Sequence, residues 1–457
     1  MVLGFFLNWC YIMKITPKQP KFEFVCLEQL IPQDHLLRKI NAVLDFEFIR
    51  DEVKHLYCEN NGRPGIDPVI LFKILFIGYL YGVRSERQLI REIEVNLAYR
   101  WFLGYNIQDA IPHHSTISQN RRRRFQDSDV YRKIFDRIVL RALELKLADG
   151  KHLYTDSTHL KANANKKKFD LQAVEKSTKS YLDELDADIN VDRIEHGKKE
   201  LKKKAHLPEV KETKISKVDP ESGYMVRDGK PEGFFYLDHR TVDGKFNIIT
   251  DTYVTPGNVH DSIPYLDRLD YQRQHFNFDV QSVGLDAGYF TAPICKGLVD
   301  REIFGVIAYH RPNHIEGYFP KRKYVYDAEN DCYTCPAGQK LFYRNTTREG
   351  YQEYVSNPEI CKNCEFRNQC TKSRNCTKVV TRHIWEKHKE QITQNRYSEQ
   401  GKKIYARRKE TVERSFADAK QLHGHRYARF RGIKRVTEQC LLAAACQNLK
   451  KIALAVA

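Results

Sequence analysis

Between residues 152 and 309 strand-like and helix-like runs follow one another in a fixed order, and two of the strand-like runs close on an aspartate. "HLYTD" is a short apolar run ending at Asp156. "FFYLDHRTVDGKFNIITDTYVTP" (234–256) reads as a hairpin, two β-rich runs around the turn "VDGK". "VQSVGLDAGY" is a further strand, closing on Asp286, and a helical "TAPICKGLVD" leads into the buried strand "IFGVIAY" at 303–309. Much later, "KETVERSFADAK" presents Glu413 beside an apolar helical stripe of Val412, Phe416 and Ala419. Such an order predicts an α/β fold, a mixed sheet flanked by helices with carboxylates gathered where neighbouring strands end. Asp156, Asp286 and Glu413 are so far apart in sequence that only the fold can assemble them.

Three gathered acids have a direct use. Mg²⁺ takes oxygen ligands and binds through a few carboxylates together with phosphate oxygens. Two such ions about 3.5–4 Å apart polarise an attacking water or 3′-hydroxyl and stabilise the leaving oxygen. Taken singly each acid has an ordinary reading, a turn former or a solvated helix face; it is the joint pattern that points to a site.

The charge balance agrees with a polyanionic partner. The chain of 457 residues carries a formal charge of +17, which favours nucleic acid. Candidate DNA contacts are Arg121 and Arg122, from a run of four arginines that cannot all face one way on a helix, and Lys166 and Lys167, which follow the first aspartate. Lys420 stands two turns beyond Glu413, roughly 10 Å away by helix rise, and Arg408 and Lys409 precede it. In "NVHDS" (258–262), Asn258, His260 and Asp261 read as a polar loop just after a strand, with Asp261 capping the next helix.

Upstream, residues 22–147 read as an all-helical domain. "PVILFKILFIGYLYG" (68–82) falls short of the roughly 18–20 apolar residues that span a bilayer and is broken by Lys73, so it predicts a buried helix and no membrane. "SERQLIREIEVNLAYRWFLG" predicts one amphipathic helix from Ser85 to Gly104, and the next starts at Ser115. A core then occupies 152–310, with a charged helical insertion at about 165–215. Residues 311–395 form a cysteine-rich insertion, and 396–457 complete the core with one strong helix ending near Gly424 and an apolar helix packed on the sheet. The apolar opening "MVLGFFLNWCYIMK" lacks the basic start and cleavage site of a signal peptide; translation from Met13 is the alternative reading.

Twelve cysteines are present, six of them between 332 and 376. Without an export signal, this clustering reads as metal binding in a cytoplasmic protein. Zn²⁺ held by paired thiolates can fold a small loop-rich insert that lacks its own core. Spacing favours the pairs Cys332/Cys335 and Cys361/Cys364, with Cys370 and Cys376 competing for the same four places.

"YTDSTHLKANANKKK", "VGLDAGYF", "KETVERSFADAK", "GRPGIDPVILFKILFIGYLYGVRSERQLIREIEVNLAYRWFLG" and "HHSTISQNRRRRF" together resemble the DDE transposases of bacterial insertion sequences. The likeness is to the group with an N-terminal helical domain and a cysteine-rich insertion before the catalytic glutamate, and it extends from about residue 22 onward. It implies a ribonuclease-H-like core in which Asp156, Asp286 and Glu413 bind two Mg²⁺ (or Mn²⁺) ions. The implied reaction is cleavage of DNA at the element ends and strand transfer into target DNA. The implied partners are double-stranded DNA, both terminal inverted repeats and target, and a second copy of the chain, in a cytoplasmic, nucleoid-associated setting. The resemblance assigns zinc to Cys335, Cys361, Cys364 and Cys370, with Cys332 the alternative, and phosphate contacts to Lys420, Lys409 and Arg408. One departure concerns spacing: the family's tyrosine and arginine, seven and four residues before the glutamate, fall here on Ala406 and Lys409, with Tyr405 and Arg408 one place out of step. A DNA nuclease of the same fold and a catalytically inactive, transposase-derived repressor are the alternative functions.

Overall fold

A helix that is apolar on every side must be covered on every side, and this governs the first part of the chain. Pro68–Leu80 starts with Asp67 accepting from the Val69 N–H at 2.8 Å and proline in the first turn, where its missing N–H costs nothing. Ten of its thirteen residues are buried. Lys73 runs its stem past the rings of Phe46 and Phe102 and donates to Asn41 Oδ1 at 3.0 Å. The computed structural model describes residues 26–58, 65–175, 181–202, 210–226, 229, 232–309 and 315–456. The apolar opening stretch, the first half of "NGRPGIDP" and Lys203 and Lys204 lie outside the described residues.

Short helices surround this one: Leu36–Val43, Phe48–Val53, Glu86–Val95, Leu97–Leu103, His114–Arg123 and Val130–Glu144. The single helix expected from Ser85 to Gly104 is two. Asn96 ends the first in an extended conformation and caps the second, accepting from the Tyr99 N–H at 3.1 Å. The next helix begins at His114 with His113 as its cap, not at Ser115. No helix among the described residues is long and apolar enough to cross a membrane.

The central sheet contains β1 (His152–Lys161), β4 (Gly223–Met225), β5 (Gly233–Asp243), β6 (Ile249–Pro256), β7 (Ser282–Leu285) and β8 (Phe304–Ile307) in the order β4-β5-β1-β7-β8, with β6 also on β5. β1 runs antiparallel to β5 and parallel to β7, and β7 parallel to β8. The sheet is therefore mixed and, with its flanking helices, gives an α/β architecture with a helical N-terminal region. The terminal helix Ile433–Val456 lies between sheet and helical region, touching β6, Leu36–Val43, Pro68–Leu80 and Val130–Glu144. One hydrophobic cluster consequently runs from Leu37 to Ala453. Each large side chain so buried contributes about 1.5–3 kcal/mol, and the helical region shares this core with the sheet.

Two expectations about the insertions are corrected. Among its described residues the charged stretch near 165–215 is helical only over Leu182–Glu195; an antiparallel ribbon of β2 (Phe169–Glu175) and β3 (Val210–Ser216) flanks it. The cysteine-rich region is no loop-rich insert. It holds a five-stranded antiparallel sheet, β9 (Val325–Asp327), β10 (Cys332–Thr334), β11 (Lys340–Thr346), β12 (Tyr351–Ser356) and β13 (Val379–His383). Alternating residues of these strands place Tyr333, Leu341, Tyr354 and Val380 with Tyr324 in a small core of its own.

Candidate active site

Asp156 sits inside β1, where a strand end was expected. β1 continues to Lys161 because β5 pairs with it along its whole length, whereas the pairing with β7 stops at Thr155–Leu285. The next residue on each parallel strand is an aspartate, so Asp156 and Asp286 leave neighbouring strands side by side, with backbones about 5 Å apart. Asp286 Oδ1 accepts from the Ala287 N–H at 2.7 Å. Gly284 in "VGLD" has a steric reason. A Cβ there would meet the Tyr154 ring at 2.8 Å and approach Cγ of Arg408 at 3.6 Å.

Glu413 arrives on the helix Val412–Leu422, whose Val412, Ser415, Phe416 and Ala419 are buried. The one long helix expected here is broken. Helix Glu399–Ala406 stops, a 3-10 turn covers Arg407–Lys409, and Thr411 takes φ −103°, ψ −98° before the glutamate helix begins. This break absorbs the one-residue offset of Arg408. The guanidinium turns inward, and Nη2 donates to Asp156 Oδ2 at 2.8 Å while Nε lies 3.9 Å from Glu413 Oε1. Arg408 was expected on phosphate; it is instead 3% exposed and serves as a counter-ion between two acids of the site. Its Nε and Nη1 have no hydrogen-bond partner.

Asp156, Asp286, Glu413 and Lys420 line one cleft of about 700 Å³ with Asp261, His159 and Arg426. Asp261 does not cap the following helix, whose cap is Pro264; it accepts from Ser157 Oγ at 2.8 Å, beside Asp156. His260 and Asn258 are exposed and do not line the cleft. Burial pushes the Asp156 carboxyl up to about 6 against the pull of Arg408, and Asp286 and Asp261 add to the rise. The cleft thus holds four carboxylates and no thiol, a donor set suited to a hard divalent cation.

The remaining candidates divide. Lys409, Lys166, Lys167 and Arg122 are exposed. Arg121, expected on DNA, is buried: its Nη1 lies 2.5 Å from Glu86 Oε1, and its guanidinium covers the Phe430 ring at 4.4 Å. Of four successive arginines one must face the core, and it needs a carboxylate there.

Cys335, Cys361, Cys364 and Cys370 border one small cavity, with the Gln339 N–H on Cys335 Sγ at 3.3 Å and the Tyr324 hydroxyl 3.1 Å from Cys370 Sγ. Cys332 is buried in β10 and, like Cys376, does not border it.

Among the described residues, three metal-type donors found within 4.8 Å of one another are Asp238, His425 and Cys440. Asp238 Oδ2 already takes bonds from Arg240 at 2.7 Å and His425 at 2.9 Å, and Thr252 donates to Oδ1. Burial would raise its pKa, yet Arg240 and His425 hold the carboxyl well below the usual range. A cation there would face a buried guanidinium. The group acts as a strut, because Arg240 Nη1 also donates to Ser415 Oγ at 2.9 Å on the glutamate helix. Sequence reasoning missed it. Its signal was "LDHR", two opposite charges two residues apart, and so on one face, directly after the apolar run "FFYL".

Comparison with known proteins adds to this geometry. Residues 25–123 match the family described as Transposase domain (DUF772), and residues 334–453 the family described as Transposase DDE domain. Glu413 falls inside the second match; Asp156 and Asp286 lie between the two. A solved structure, a piggyBac transposase synaptic complex with hairpin DNA, aligns over 92% of this chain and 78% of that one, at 11% identity and a TM-score of 0.34. No curated protein matches the chain. With a transposase family matching at each end, the chain belongs to the DDE transposases of insertion sequences.

Proposed function

We propose that this transposase cuts DNA at the ends of its own element and joins the freed 3′ ends to target DNA, on a ribonuclease-H-like core. The observation that carries the reading is the meeting of Asp156, Asp286 and Glu413 in one cleft with Lys420. These three acids hold the divalent ions, and when bound, Mg²⁺ or Mn²⁺ supplies Lewis-acid charge stabilisation at the attacking and leaving oxygens. Asp261, bonded to Ser157, steadies the strand on which Asp156 stands. Lys420, Arg426 and the exposed Lys409, Lys166 and Lys167 hold backbone phosphates. Residues 22–147 supply contacts to the terminal inverted repeats, the core comprises 152–310 and 396–457, and the protein acts as a homodimer or larger assembly, since two ends must be joined. The setting is the bacterial cytoplasm, at the nucleoid. Incubating the protein with a labelled duplex from the DNA flanking its gene, with Mg²⁺, tests the reading. Strand-transfer products are expected; hydrolysis alone would indicate a nuclease, and binding alone a repressor.

Arg408 keeps the acids together when no cation does. Arg408→Ala is expected to cost about 2–4 kcal/mol of stability in EDTA, a little less than breaking a fully buried ion pair because Asp156 is partly exposed, and much less in Mn²⁺. Thermal unfolding in both conditions checks this; an equal loss in both would deny the counter-ion role. Because a proton competes with metal for Asp156, whose carboxyl is held at about 6, Mn²⁺ binding weakens as pH falls through that value and strengthens above it.

The four cysteines around the cavity are assigned to structural zinc, which fastens the turn at Cys335 and the segment 361–370 against the small sheet. Metal analysis of the purified protein is expected to find about one zinc per chain, lost in Cys364→Ser and retained in Cys376→Ser. Zinc retained in Cys364→Ser would overturn the ligand set.

A further inference from the structure

A second cavity, of about 480 Å³, opens where the helical region meets the segment after the glutamate helix. Arg84, Arg87 and Arg122 reach it from one side, Arg429 and Arg435 from the other. Its one lining carboxylate, Glu86, is taken by Arg121 at 2.5 Å. Among the described residues none of the five arginines pairs with a carboxylate within 4.0 Å, so their charge awaits an outside anion. Two are already oriented: the Arg429 guanidinium lies 4.2 Å from the Tyr79 ring centre, and that of Arg84 5.8 Å from Tyr427. Stacked guanidinium groups lose little freedom when they grip a phosphate as a fork.

The position of this cavity names its ligand. Arg426 lines the acid cleft, and Arg429, three residues on, lines the arginine cavity. Three residues span at most about 10 Å, and a DNA strand advances about 3.4 Å per base pair. Given the transposase reading above, on which this rests, we propose that the arginine cavity takes a backbone phosphate of the same DNA within about three base pairs of the bond cut in the acid cleft. Phosphate contacts set register without reading sequence. Held there, the duplex presents one phosphate, and not its neighbours, to Asp156, Asp286 and Glu413. Because the cavity has walls from both parts of the chain, it also ties the helices that bind the element end to the cleft that cuts it.

The test uses the full chain and a labelled duplex from the DNA flanking its gene, comparing wild type with R84E/R87E and with Arg87→Gln. The replaced side chains are exposed, and thermal unfolding verifies that each variant folds. In the double variant the slope of log affinity against log salt is expected to fall by about 0.9 for each phosphate the protein no longer neutralises, with cleavage spread over several neighbouring phosphates in Mg²⁺. Arg87→Gln is expected to change both in the same direction by less. An unchanged slope with cleavage at the wild-type position would overturn the proposal while leaving the transposase reading intact. Failure of the wild-type chain to bind the duplex at all would overturn both.

Discussion

Asp156→Asn binds duplex DNA from its element ends as the wild type does and cuts it at least about a thousandfold more slowly; that is the expected result of exchanging one oxygen for an amide nitrogen. The amide keeps the shape of the carboxyl and can still accept a bond from Arg408, so β1 and the broken turn at Arg407–Lys409 stay in place. What disappears is one negative charge of the set that holds the metal. Several kilocalories of transition-state charge stabilisation depend on that metal, and about 1.36 kcal/mol is a factor of ten in rate. Affinity for the duplex comes from phosphate contacts elsewhere and persists. A gel resolving cleavage products beside a binding assay reads both quantities. Cleavage at the wild-type rate would remove Asp156 from the site.

The second large effect is on stability. Arg240→Met leaves Asp238 fully buried with its main charge partner gone. Removing one member of such a pair costs about 3–5 kcal/mol, and here it also releases Ser415 on the glutamate helix. The expected outcome is a protein destabilised by that amount in denaturant titration, with reduced metal binding in the cleft of the fraction that remains folded. The double change R240M/D238L, which removes both charges, is expected to recover a good part of the loss. If the single variant were as stable as wild type, the strut would have no role.

The sequence carried the chain order of the main core strands because each begins as a short apolar run bounded by polar residues. It did not carry the extent of β1: "STHLK" has no alternation of its own and is a strand only because β5 lies beside it. The break between Ala406 and Val412 was hidden for a similar reason. Helix-forming residues fill the gap, and tertiary pairing of Arg408 with Asp156 overrides their preference. The basic residues were read as one class, though burial separates them. Arg121 and Arg408 went inside, each onto a carboxylate, while Arg122 stayed out. The arginine cavity joins residues near 84 and 122 to residues near 429 and 435, and no local pattern connects them. The cysteine spacing alone left six thiols for four places; the fold of β10 and β11 turns Cys332 into the core and leaves Cys335 at the cavity.

Diffraction from crystals soaked in Mn²⁺, with anomalous difference maps at the manganese edge, tests the central claim most directly. The account predicts peaks bounded by Asp156, Asp286 and Glu413, lost in Asp156→Asn. Manganese bound at Asp238, His425 and Cys440 with none in the cleft would contradict it.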